Sequence, residues 1–373
     1  MTAIPPASAT RLARAQLEKG YDRPFLIIDS AIVREKTRRF IRAMPRVTPH
    51  FAVKSNPDPR VLKVLIEEGA GFEIASIAEL DSLMALGVPA RDILYSNPVK
   101  PRRYIDYAAE KGVEWYVLDS IEELRKLAEV KPDAKLYLRI DTSNLGSDWP
   151  LAGKFGAHPD ETRAIIAEAA RLEADLAGVT FHVGSQCRNP ENWRTGILGA
   201  KAAFAEMTAA GLDPRLLNLG GGYPVQHTKP IPRIEEIAAI VNEGISDLPE
   251  TVRIVAEPGR YLVSDAGCFV CRVIGTATRA GTRWAYLDAG MFGGIIETTE
   301  GLRYRIETDR KGRPVPWSLA GPTCDSLDIV MKEEPLPEDL REGDFIFLIN
   351  AGAYTTAYAS NFNGFPLPEV FVA

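Results

Sequence analysis

The chain has 373 residues, of which 46% are hydrophobic and 25% charged, and a formal net charge of −6. That is globular composition, with length for one large core and a smaller one. No basic block, no apolar run of about 18 residues and only four cysteines leave no case for a nucleic-acid-binding face, a membrane span or a disulfide scaffold.

The first 20 residues lack the apolar stretch of a signal peptide and are expected to form a short helix, in a cytoplasmic protein with reduced thiols. FLII (25–28) reads as a strand. Apolar runs then alternate with helical spacing: HFAV (50–53), GFEI (71–74), ILYS (93–96), EWYVL (114–118), KLYLRI (135–140), GVTFHV (178–183), LLNLG (216–220) and VRIVAE (252–257). Continuous rather than alternating runs fit strands buried on both faces of a parallel sheet. Between them Arg60–Glu68 (closed by Gly69), Ile77–Leu86, Ser120–Val130, Pro159–Arg171 and Asn189–Ala210 are helical, and Ser120 with Glu123 has capping-box spacing. Eight strand–helix units predict a (β/α)8 TIM barrel over residues 27–262, with a doubly wound open sheet as the alternative. The polar residues just past several different strand ends favour the barrel. After residue 262 the helical spacers stop, and VCRVIGTATR, RWAYLDAG, FIFLINAG and EVFVA predict a second, mostly β domain. It is expected to be a β-sandwich or small β-barrel built from 263–373 with 1–26, FLII pairing into it.

Lys54 follows the first barrel strand in FAVKSNPD. A lysine leaving a buried run suits Schiff-base chemistry, because desolvation exposes the neutral amine; a lysine that merely surfaces there fits equally. Glu257, in AEPGRYLV, could keep a pyridinium nitrogen protonated or simply pair with Arg260 at the rim. Gly220, Gly221 and Gly222 follow the seventh strand, where barrels often hold phosphate, and let backbone N–H groups approach an anion; Arg260 can add a charge. His182, in FHVGSQ, could stack on a cofactor ring or be structural. With four histidines and no HxxxH or HExxH spacing, no metal site is expected. Cys324 and Asp325 lie in GPTCDSLD, where a thiol could donate a proton and a carboxylate bind an ammonium, or the segment could be no more than a turn. Cys268 and Cys271 form a CxxC inside a buried-strand pattern and are expected in the core.

FAVKSN, FEIAS, LRIDT, FHVGSQ, LGGGYP, AEPGRYLV, GPTCDSLD and AGAYTTAYASNFNGF, in that order over nearly the whole chain, resemble the fold-type III pyridoxal-phosphate (PLP) decarboxylases of basic amino acids, whose barrel is alanine racemase-like. The resemblance implies PLP held covalently by Lys54, with Glu257 on the pyridine nitrogen and His182 stacked on the ring. It implies phosphate contacts from Ser185, the backbone at Gly221 and Gly222, Arg260 and Tyr354, with Arg139 supporting the cofactor and Glu73 near Lys54. Cys324 would protonate the carbon left after decarboxylation. Cys324 and Asp325 would reach the partner's site in a homodimer, and Phe362 resembles the aromatic near the leaving carboxylate.

CDSLD and FNGF (362–365) resemble the ornithine and lysine branch, and Asp325 suits a distal ammonium; diaminopimelate enzymes carry CESGD-like sequence there. Glu297, in FGGIIETTEG, is a second candidate for that ammonium, or an exposed helix residue. L-Ornithine is the expected substrate, giving putrescine for polyamine biosynthesis. L-Lysine, one methylene longer, is separated from it by only about 1–3 kcal/mol in a pocket. The chain's end directly after the last strand resembles bacterial members. Rival readings are a diaminopimelate or carboxynorspermidine decarboxylase, a racemase, which would use a tyrosine opposite the lysine, and a non-catalytic homologue that binds a regulatory protein. Lys54, Glu257, Arg260, Cys324 and Tyr354 stand against the last.

Overall fold

The computed structural model describes residues 8–151 and 153–373; the expected N-terminal helix runs Ser8–Glu18, and the residues before it lie outside the described ones. The chain divides into two compact units, one of Glu35–Pro224 with Ile231–Gly259, the other of Met1–Arg34, Val225–Pro230 and Arg260–Ala373.

The strand β1 (Phe25–Ile28) belongs to the second unit. In the first unit β2 (Val47–Ala52), β3 (Gly71–Ile74), β4 (Ile93–Tyr95), β5 (Trp115–Leu118) and β6 (Lys135–Arg139) come in succession. Then follow β7 (Ser147–Trp149), β8 (Leu176–Thr180), β9 (Ser185–Cys187), β10 (Leu216–Asn218) and β11 (Arg253–Ala256). All but β7 and β9 form a closed parallel barrel of eight strands, the ring closing where β11 pairs with β2 through Ile254 and Val47. This is the expected barrel, not the open sheet. Its filling is side-chain packing among Leu94, Trp115, Val117, Tyr137, Leu216 and Val255, all buried. Each large apolar side chain so buried contributes about 1.5–3 kcal/mol. β7 and β9 pair antiparallel as a separate ribbon that the sequence, SDW against SQC, did not announce.

The barrel helices start where polar caps stand. Asp58 caps Pro59–Glu67 and Ser76 caps Ile77–Ala85. Ser120 accepts the Glu123 N–H at 3.2 Å, but the expected return arm of the capping box is missing. The Glu123 carboxylate instead lies 3.0 Å from the Nζ of Lys100, which is fully buried, and 2.5 Å from that of Lys126. A buried ammonium left unpaired costs far more than a helix-end N–H, so it takes the carboxylate.

The second unit is an eight-stranded mixed sheet. Its strands after β1 are β12 (Gly267–Arg279), β13 (Thr282–Leu287), β14 (Arg305–Thr308), β15 (Pro314–Ala320), β16 (Ile329–Pro337), β17 (Phe345–Ile349) and β18 (Glu369–Val372). As FLII suggested, β1 pairs here, antiparallel with β12 and parallel with β18. Phe25, Ile27, Cys268, Val270, Phe347 and Ile349 share its core. Cys268 and Cys271 are buried free thiols, and burial pushes Cys268 up to about 12. Among the described residues no helix is long and apolar enough to cross a membrane.

His50 in β2 is fully buried; its Nδ1 lies 3.3 Å from the Thr48 carbonyl and its Nε2 lies 2.8 Å from the Arg253 guanidinium. The first contact requires a proton on Nδ1 and the second a lone pair on Nε2, so the ring is neutral. Burial and the Arg253 charge lower its pKa to about 3. The unfolded chain therefore binds a proton near pH 6.5 that the fold refuses, and stability falls as pH drops from there toward 3. Replacing His50 with Gln should reduce the acid slope of the unfolding free energy, from urea titrations between pH 6 and 4.5, by about 1.4 kcal/mol per pH unit. An unchanged slope would show that His50 is charged in the fold.

Candidate active site

Parallel strands point their carboxyl ends to one rim, so residues far apart in sequence meet there. β2 runs out into the tight turn Val53–Ser55, which lifts Lys54 off the strand. The Lys54 side chain is 51% exposed, so it is not sequestered as a residue ending a buried run would be; the turn carries it clear of the core. Its Nζ stands 3.2 Å from Oε1 of Glu73 on β3, which is 1% exposed. Burial raises the Glu73 pKa; the Lys54 charge opposes that rise, and Glu257 and Glu79 reinforce it. Arg139 ends β6, its guanidinium over the Phe155 ring at 5.4 Å.

The three glycines after β10 leave no room for side chains. A Cβ at Gly220, where φ is 63°, would strike the Phe181 carbonyl, and one at Gly222, where φ is 96°, the Gly184 carbonyl. At Gly221 it would lie 3.0 Å from Nε2 of His182. The turn is thus a bare backbone cradle of the kind that admits an anion. His182 Nδ1 accepts the Gly184 N–H at 3.1 Å, so its proton sits on Nε2. Burial, then the charges of Arg139 and Lys54, hold its pKa well below the ordinary value. Ser185 opens β9 and is paired with Trp149 of β7, so its position is set by the unforeseen ribbon.

Glu257 follows β11. Ser96 Oγ and Asn218 Nδ2 both donate to its Oε1 at 2.7 Å, and Ser96 Oγ is also 2.7 Å from the Tyr137 hydroxyl. None of these three partners stood among the sequence candidates. The signal was available: Ser96 closes the apolar run ILYS, and Asn218 is the one polar side chain inside LLNLG.

In the second unit the Arg260 guanidinium meets the Glu297 carboxylate in a bidentate pair at 2.8 and 2.5 Å, the side chains only 6% and 12% exposed. The rim pairing considered for Arg260 is therefore made with Glu297, not Glu257. Glu297 is not a solvated helix residue: its side chain is largely buried and each of its oxygens takes a guanidinium N–H from Arg260. Tyr354, with φ at 55°, lies under Arg260, ring centroid to guanidinium carbon 4.8 Å. A left-handed tyrosine is costly and is held only where its surroundings over-determine it.

Cys324 is exposed, and Asn363 Nδ2 lies 3.6 Å from its sulfur. Asp325 Oδ1 accepts the Leu327 N–H at 2.8 Å. The loop is fixed by Asp328, which is 2% exposed: it accepts the Met291 N–H at 2.7 Å, and the Thr323 hydroxyl and N–H at 2.7 and 3.1 Å. A Cβ at Gly290 or Gly321 would collide with the Asp328 carboxylate. Phe362 stacks on Phe292, ring centroids 4.2 Å apart.

A parallel barrel whose rim gathers a lysine, acidic partners, a neutral histidine and a glycine cradle is of the class that binds a phosphorylated, ring-bearing cofactor. The relatives are specific about which. Residues 30–264 match the family model described as pyridoxal-dependent decarboxylase, pyridoxal binding domain. The mouse ornithine decarboxylase is 35% identical over 371 residues, covering 93% of this chain and 80% of that protein. Antizyme inhibitor 2 of Xenopus laevis is 36% identical over 369 residues, covering 94% and 80%. Among solved structures, the Vibrio vulnificus lysine/ornithine decarboxylase complexed with cadaverine superposes with a TM-score of 0.91 at 33% identity, covering 99% and 100%. The Paramecium bursaria Chlorella virus arginine decarboxylase bound to agmatine does so with 0.91 at 30%, covering 98% and 100%. The chain belongs to the pyridoxal-dependent decarboxylases and is a PLP-dependent amino-acid carboxy-lyase.

The imidazole of His182 should stay neutral from pH 5 to 9, its 13Cε1 resonance in the labelled protein flat across that range. A titration midpoint near 6.5 would mean that neither burial nor the charges of Arg139 and Lys54 govern its protonation.

Proposed function

We propose that this enzyme decarboxylates L-ornithine to putrescine and CO2 and accepts L-lysine as a second substrate, giving cadaverine. The observation that carries this reading is the Cys324–Asp325 pair on a loop locked by Asp328: a thiol beside a carboxylate suited to a distal ammonium. The named ornithine and lysine/ornithine decarboxylases among the relatives support it. The reading places the enzyme in the cytoplasm, at the start of polyamine synthesis.

PLP, when bound, supplies an electron-poor ring that accepts the electron pair left when the bond from Cα to the carboxyl carbon breaks. Lys54 is the amine that holds it, and Glu73 keeps that amine oriented. The Gly221 and Gly222 N–H groups, Ser185, Arg260 and Tyr354 take the phosphate, His182 lies against the ring, and Arg139 supports this side of the site. Glu257 receives the pyridine N–H and keeps the ring nitrogen protonated. Cys324 delivers the proton from Sγ to Cα after CO2 has left, and Phe362 offers the departing carboxylate an apolar surface, where an anion is least stable. Asp325 holds the distal ammonium. Glu297, occupied by Arg260, serves the phosphate side rather than the substrate.

Leu327, Phe362, Phe365 and Leu367 are exposed at 67, 39, 38 and 54%. Apolar exposure around the Cys324 loop fits a homodimer in which this loop completes the partner's site.

Purified enzyme with PLP and, separately, L-ornithine, L-lysine, L-arginine and meso-diaminopimelate should release CO2 fastest with ornithine, then lysine. Best turnover of arginine or diaminopimelate would refute the assignment. Cys324→Ala should retain PLP but lower putrescine formation about 10- to 1,000-fold and divert product toward an aldehyde. Glu297→Gln should weaken PLP binding about ten-fold and leave the KM for ornithine unchanged; the reverse pattern would return Glu297 to the substrate.

A further inference from the structure

The carboxylate that the proposed function sets on the pyridine nitrogen does not stand alone in the barrel. An ionised carboxylate can only accept, so the single hydroxyl hydrogen of Ser96 goes to Glu257 Oε1, 2.7 Å away. The Ser96 oxygen must then accept from Tyr137, 2.7 Å behind it. Tyr137 is fully buried, and burial and the Glu257 charge raise its pKa well above the ordinary value, so it keeps the proton it has to give. The direction of the chain is fixed: Tyr137 to Ser96 to Glu257.

A second donor is equally constrained. Asn218 is buried, and its Oδ1 accepts the Gly220 N–H at 2.9 Å, which settles the orientation of its amide and turns Nδ2 toward the same Oε1, 2.7 Å away. Gly220 is tied in turn to Glu257, whose N–H donates to the Gly220 carbonyl at 2.8 Å. Both side-chain donors converge on one carboxylate oxygen, and Oε2 stands outside this network.

We infer that Ser96, backed by Tyr137 and flanked by Asn218, is a positioning residue that holds Glu257 turned so that Oε2 receives the pyridine N–H, and that this relay sets how fully the cofactor's ring nitrogen is protonated. The inference rests on the assignment of Glu257 to the pyridine nitrogen. Two donors on one oxygen fix the plane and direction of the carboxylate, and a hydroxyl already polarised by Tyr137 is a stronger donor than a lone serine.

The test uses holoenzyme loaded with PLP carrying 15N in its ring, and reads the 15N chemical shift alongside the PLP dissociation constant, kcat and KM. Ser96→Ala should move the ring nitrogen toward the unprotonated shift and lower kcat about ten-fold, with KM little changed. Ser96→Thr, which keeps the hydroxyl, should restore both. Tyr137→Phe should act in the same direction but more weakly, and Ser96→Ala/Tyr137→Phe should be no worse than Ser96→Ala, because Tyr137 acts only through Ser96. Additive losses in the double variant would overturn the relay. A wild-type nitrogen shift in Ser96→Ala, with a moved shift in Glu257→Gln, would remove Ser96 from the cofactor's electrostatics. If Glu257→Gln leaves the shift unmoved as well, the fault lies with the placement of Glu257 on the pyridine nitrogen.

Discussion

Closure of the parallel ring is the constraint on which the rest depends. Because β11 hydrogen-bonds to β2, every barrel strand has two neighbours and all eight deliver their carboxyl ends to one rim. Ser96 and Glu257, 161 residues apart, share a hydrogen bond only because of that closure. The entropy of bringing such distant segments together is met by the apolar strand cores, and the rim inherits the geometry without contributing to it. This division of labour lets a rim hold polar groups that would be ruinous within the strands.

The rim is an electrostatic compromise. Glu73 is buried and would sooner be neutral; Lys54 beside it pulls toward charge. His182 yields to two neighbouring cations and to burial by remaining uncharged. A neutral ring can lie against an aromatic cofactor without bringing a competing positive charge close to the pyridine nitrogen. Glu257 takes its hydrogen bonds from hydroxyl and amide donors, and its charge is felt by the Arg139 guanidinium.

The barrel was legible because its strands are continuous apolar runs at regular intervals, a pattern set by burial on both faces. FLII could be assigned to the second sheet because it precedes the barrel pattern and has no helix-spaced partner before it. The ribbon of β7 and β9 escaped notice because three-residue polar strands carry no periodicity. The return arm of the Ser120 box failed for a tertiary reason: the fold buries Lys100, and no local rule foresees which carboxylate must answer it. The site motifs were legible as residues, but their pairings were not. Glu257, three positions before Arg260, is a possible ion-pair partner by sequence, whereas the fold brings Glu297 to Arg260. Ser96 and Tyr137 went unread because a hydroxyl at the end of a strand looks like any other strand end until the barrel closes around it.

The grip of Asp328 on the Met291 backbone and on Thr323 bears on how such a protein can change over generations. One carboxylate measures the distance between the segment leading to Glu297 and the loop carrying Cys324, and two glycines are spent on giving it room. Insertions or deletions between Gly321 and Asp328 would break that measure, while a change of side chain at Asp325, which makes no hydrogen bond to the Asp328 carboxylate, would leave it in place. Diversification is thereby channelled into swaps of residue type at fixed loop length, and the position of the Cys324 thiol is insulated from them.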